Sequence, residues 1–189
     1  MAEVLLFHHA QGLTAGCLHF AGRLRAAGHV VHTPDLYAGK TFGDLDEGVR
    51  YAEDEVGFDT IIERGLAVAE TLRSDIVYAG FSLGVMPAQK LAQTKVGAKG
   101  SLLLHSSIPL EFFGGSWPVG VPLQIHTMED DEWGDVDVAR RLEETIESAE
   151  LFLYPGDRHL FTDDSLPEYD EKASELVMER VLGFLEKIS

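Results

Sequence analysis

The pentapeptide Gly80-Phe81-Ser82-Leu83-Gly84 sets a serine between two glycines at a spacing that suits a nucleophile. In a G-x-S-x-G turn the serine sits on a tight strand-to-helix connection and its hydroxyl projects above the end of the strand. Glycines on either side let strand and helix approach, and the helix N-terminus favours negative charge developing nearby. The pattern alone is weak, because a glycine-rich turn whose serine merely caps a helix reads the same way. Its flanks strengthen it. Ile76-Val77-Tyr78-Ala79 reads as a strand and Val85–Ala92 as a helix.

A serine hydroxyl needs a base to take its proton, and the base, normally histidine, needs a carboxylate to hold its tautomer. After such a turn the expected chain order is serine, acid, histidine. His159 is the only histidine beyond His126 and follows a strand-like run. Asp131 is the preferred acid, with Asp130, Glu129 and Asp135 as alternatives. The oxyanion of the attacked carbonyl calls for two backbone N–H groups. One is that of Leu83. The other comes from the loop after the first strand, from Ala10 or Gln11, with Gln11 preferred. Adjacent His8 and His9 point to opposite faces of a strand. No metal site is expected there; His9 is expected to line the pocket and His8 to pack beneath the sheet.

The elements that must position these groups are short apolar runs: Glu3–Phe7, Val30–Thr33, Asp75–Ala79, Ser101–Leu104, Pro122–Ile125 and Glu150–Leu153. Between them lie stretches of helical period, such as Cys17, Phe20, Ala21 and Leu24, or Val138, Leu142 and Ile146. Alternation of this kind implies a parallel sheet covered on both faces. Right-handed crossovers bring all strand C-termini to one edge. Loops after five strands then meet there, including Pro34-Asp35-Leu36-Tyr37. The aromatic stretch from Pro109 to Trp117, with Phe112, joins Tyr37, Trp133 and Phe161 as candidates for an apolar substrate site. The alternative is a local core under a long loop.

The chain has 189 residues, read as one domain over 1–189, with 45% hydrophobic and 25% charged residues. Its net charge of −17 disfavours nucleic acid and anionic membrane surfaces as partners. The lone Cys17 allows no intrachain disulfide and fits a reducing compartment. The N-terminal residues lack the basic and apolar regions of a signal peptide, and no run reaches the ~20 apolar residues of a membrane helix. These features point to the cytoplasm and leave the oligomeric state open.

The elbow around Ser82, the Asp131 turn, His159-Leu160-Phe161 and Pro34-Asp35-Leu36-Tyr37 together resemble the dienelactone hydrolase family over nearly the whole chain. That resemblance implies an α/β-hydrolase fold: three layers, about six mainly parallel strands with helices on both faces, and no lid domain. It implies hydrolysis of small carboxylic esters or lactones and no cofactor. This sequence departs from the family in two places. Ser82 stands where dienelactone hydrolases carry a cysteine. Asp163 stands where they carry an arginine that holds a substrate carboxylate, so a carboxylate substrate is disfavoured. Asp35 corresponds to an acidic residue that attends the cysteine, and its role here is open. Two other readings use the same residues: a non-catalytic small-molecule binder on this fold, and an acyltransferase or thioesterase with the same triad.

Overall fold

Six apolar runs each expose a full set of backbone N–H and C=O groups, and in the computed structural model, which describes residues 1–189, they satisfy one another in a single parallel sheet. The strands are β1 (Glu3–Phe7), β2 (Val30–His32), β3 (Val77–Phe81), β4 (Gly100–Leu104), β5 (Leu123–Met128) and β6 (Ala149–Tyr154), in the order β2-β1-β3-β4-β5-β6. The central strands β3, β4 and β5 are buried at every residue, whereas the edge strands β2 and β6 are partly exposed. That is why the central runs read as continuously apolar.

Side-chain alternation divides the core. Val4 and Leu6 pack on one face with α1 (Ala15–Ala26) and α6 (Glu171–Lys187). Leu5 and Phe7 pack on the other with α3 (Phe58–Ala69) and α4 (Val85–Thr94); α5 (Val136–Thr145) covers Leu103 and Ile125 on that same face. The result is a three-layer α/β sandwich of the expected class, with all strands parallel.

Several boundaries move from the sequence expectation. β3 begins at Val77 and runs through Phe81 because Val4 pairs with Val77 and Phe7 with Gly80; Asp75 lies outside it, bonded to Arg73. β5 runs on to Met128 because β6 pairs with it as far as Tyr154. The buried stripe of α6 uses Met178 and Val181, while Leu176 faces outward. One element has no counterpart among the periodic segments. After Asp44 the chain forms α2 (Leu45–Arg50) and continues into a π-helical turn, Tyr51–Val56, that ends at Gly57. The stretch is too polar to show an apolar stripe. Its only signal is the pair Asp44 and Glu47, in which the Asp44 carboxylate accepts the Glu47 N–H at 3.0 Å. No helix is long and apolar enough to cross a membrane.

The strand order reverses between β1 and β3, and in open parallel sheets ligands bind in the crevice at such a point. Leu103, fully buried in β4, stands in the layer that joins sheet to α5. Leu103→Ala is expected to cost about 2–5 kcal/mol, read as a lower urea midpoint at unchanged slope.

Candidate active site

Ser82 lies at the crevice, at the end of β3, with a φ of +47°. A non-glycine residue holds that left-handed conformation only where its surroundings impose it. Here they do. A Cβ added at Gly80 would stand 2.1 Å from the Gly84 carbonyl oxygen, and one at Gly84 would stand 2.5 Å from that of Phe7. Strand, turn and the end of β1 are therefore in backbone contact, and both glycines are sterically required.

The loop after β6 brings His159 over this turn. Its Nε2 is 2.8 Å from Ser82 Oγ and its Nδ1 is 2.8 Å from Asp131 Oδ2. The other Asp131 oxygen accepts the Trp133 N–H at 2.9 Å. His159 and Asp131 are buried, and the Trp133 ring lies 6.4 Å from the imidazole. Asp130 and Glu129 are exposed, and Asp135 accepts a hydrogen bond from Ser106 Oγ instead. Of the acids considered, only Asp131 meets the histidine.

Two cavities meet the triad, one at Ser82 and one at His159. A mostly apolar one of about 180 Å³ is lined by Ala10, Val49, Leu83, Met86, Ile108 and Trp133, with Ser82 at its wall. An open groove of about 630 Å³ runs past His159 and Trp133 and is rimmed by Asp130, Glu132, Asp157, Arg158 and Glu168. Val49 and Ala52 of the polar helical segment wall the apolar cavity. His105-Ser106-Ser107, at the end of β4, also belongs to this region. Its position after a strand is the signal that could have found it.

Other expected site residues lie elsewhere. Gln11 does not offer a free N–H, because that group donates to His9 Nδ1 at 3.2 Å; Ala10, beside it, lines the cavity with Ser82 and Leu83. His9 does not line the pocket. It is buried under the loop, its Nε2 2.8 Å from Asp163 Oδ2. Asp163 is buried as well, so it faces no substrate. Thr14 and Ser165 also donate to it. Burial raises the Asp163 carboxyl, but its hydrogen bonds from His9, Ser165 and Thr14 outweigh this and hold it at about 2. His9, Cys17 and Asp163 bring their donor atoms within 4.8 Å of one another, and are the residues that could hold a metal ion. His8 packs beneath the sheet, as expected, with its Nε2 accepting the Leu36 N–H and its Nδ1–H donating to the His9 carbonyl.

Tyr37 is buried against His8 and Tyr51 rather than open to substrate. Asp35 accepts the N–H groups of Tyr37 and Gly39 and so orders its own loop. Phe112 is 69% exposed and touches Phe113. Trp117 donates to the Val121 carbonyl and lines a separate groove with Thr145 and Ser148, at the opposite edge of the sheet. Of the expected aromatics, Trp133 alone lies at Ser82.

A model of the dienelactone hydrolase family matches residues 1–189. The chain belongs to that family. Membership makes it an enzyme of the carboxylic ester hydrolase class with a small-molecule substrate. Solved structures share the fold. A dienelactone hydrolase-like promiscuous phosphotriesterase from metagenomic libraries superposes with a TM-score of 0.75 at 18% identity, covering 100% of this chain and 87% of that one. Dienelactone hydrolase from Anabaena variabilis gives 0.70 at 15% identity, over 100% and 87%. Thermogutta terrifontis esterase 2, phosphoramylated by tabun, gives 0.67 at 16% identity, over 100% and 83%. No curated protein is similar enough in sequence to match.

Burial keeps two rings around this family site neutral: it lowers His8 to about 4 and His126 to about 3, from an ordinary 6.5. Unfolded, both take a proton near 6.5. Between 6.5 and 4 the unfolded chain therefore binds more protons, and stability falls as the pH drops. The urea midpoint should decrease from pH 7 to pH 5, and His126→Gln should show a smaller decrease.

Proposed function

We propose that residues 1–189 act as one domain that hydrolyses small carboxylic esters or lactones through an acyl-enzyme on Ser82. The observation that carries this reading is the unbroken hydrogen-bond chain from Ser82 Oγ through His159 to Asp131, at 2.8 Å in both links.

His159 Nε2 takes the hydroxyl proton as Ser82 Oγ attacks the carbonyl carbon. Asp131 accepts from Nδ1–H, fixes the tautomer and stabilises the imidazolium that forms. The tetrahedral oxyanion is held by the backbone N–H groups of Leu83 and Ala10, an assignment favoured over Gln11 because the Gln11 N–H is committed to His9. Collapse expels the alcohol, which takes the proton from His159. Water, deprotonated by the same nitrogen, then attacks the acyl-enzyme; the C–Oγ bond breaks as Ser82 Oγ takes that proton back from His159, and the carboxylic acid leaves. Each donor is fixed before the reaction begins, so charge develops into an environment that need not reorganise.

The cavities support a small, uncharged substrate. About 180 Å³ of mostly apolar space accommodates a short acyl group. The acidic groove rim, with Arg158 among four carboxylates, disfavours an anionic one.

Short-chain p-nitrophenyl esters test the reading. Wild type is expected to turn them over and to bind an organophosphonate covalently, while Ser82→Ala loses about 10³-fold or more in kcat and does not label. Equal rates for the two proteins would refute it.

A further inference from the structure

Beneath the triad lies a second carboxylate–imidazole pair that the mechanism does not use. Asp163, four residues after His159, is rooted by Thr14 and Ser165 and holds His9 Nε2 at 2.8 Å. The opposite ring nitrogen, Nδ1, accepts the Gln11 N–H at 3.2 Å, and the Gly12 N–H closes the same turn on the His9 carbonyl at 3.0 Å. The ring stands edge-on to Phe81, the residue before Ser82, with centroids 6.4 Å apart. From the other side, Gly48 of α2 approaches so closely that an added Cβ would lie 2.4 Å from the Ala10 carbonyl oxygen. Ala10 is thus gripped between a helix and a histidine.

We propose that His9 is the positioning residue of the oxyanion loop: Asp163 fixes its Nε2–H, its Nδ1 ties down the Gln11 N–H, and the tethered loop presents the Ala10 N–H to the oxyanion. This rests on the hydrolase reading above. It uses the device of the triad, a carboxylate that sets a tautomer, to hold a backbone amide rather than to activate a hydroxyl.

The brace is a matter of tautomer. With its Nε2–H committed to Asp163, the ring turns the Nδ1 lone pair towards the Gln11 N–H.

Glutamine and asparagine separate the two ends of the ring. His9→Gln keeps a donor towards Asp163 and leaves the Gln11 N–H without its acceptor; His9→Asn keeps an acceptor near Nδ1. On p-nitrophenyl butyrate, His9→Gln is expected to lose about 10²-fold in kcat, the scale of a misplaced oxyanion donor, with KM almost unchanged. His9→Asn should recover about tenfold of that loss. In wild type, ¹⁵N NMR of the ring, assigned against His9→Asn, should show the Nε2–H tautomer with a hydrogen-bond-accepting Nδ1 in the active enzyme. That measurement holds even where His9→Gln does not fold. Wild-type kcat in His9→Gln, equal rates for the two variants, or a proton on Nδ1 in the active enzyme would overturn the proposal. A wild type that neither turns over the ester nor labels with organophosphonate would instead overturn the hydrolase reading itself.

Discussion

The distance between two stretches of backbone, the turn after β3 and the end of β1, governs the rest of the site. With Gly84 pressed against the carbonyls of Phe7 and His8, the serine turn and the loop carrying Ala10 share one crevice. No side chain intervenes. The closeness follows from the parallel register of β1 and β3, and it forces Ser82 into a left-handed conformation. That strain costs about 1–3 kcal/mol. His105, Asp135 and Leu160, all near the same crevice, have positive φ as well. The fully buried central strands and the helices on both faces offset these local costs, so the site is rigid because its scaffold over-determines it.

Electrostatics at the site run against the character of the molecule. A chain with a net charge of −17 concentrates neutral imidazoles behind its catalytic edge, kept so by burial at His8, His105 and His126. Two other rings are paired with carboxylates: His159 with Asp131, and His9 with Asp163. The remaining acidity stands at the groove rim, where it acts on what approaches. The carboxylates that face an approaching ligand are those of the exposed rim and not Asp163, whose charge is spent inside the protein.

Much of this was legible in the sequence because it follows from periodicity and chain order. Alternating strands and helices specify a parallel sheet, the sheet gathers its loops, and serine, aspartate and histidine in sequence at strand ends have only one place to meet. The choice of Asp131 over its acidic neighbours was legible too, since a turn leaving β5 aims that carboxylate back. What escaped depends on contacts between residues far apart. Whether Ala10 or Gln11 carries the free N–H is decided by a ring nitrogen of His9, and the placement of His9 is decided by Asp163, 154 positions later. Aromatic side chains carry no direction in a sequence, so Tyr37, Phe112 and Trp117 looked as eligible as Trp133. The segment from Asp44 to Gly57 was invisible because its helices turn a polar face outward and bury little.

That last segment gives the enzyme a separable ceiling. It begins at a capped aspartate, ends at a glycine, belongs to no strand, and contributes Val49 and Ala52 to the apolar cavity. A π-helical turn is the footprint of one residue too many in a helix. Residues gained or lost there change the depth of that cavity while the sheet, the elbow and the histidine loop stay where they are. The shape of the cavity can drift in this scaffold independently of the hydrogen-bond chain beneath it.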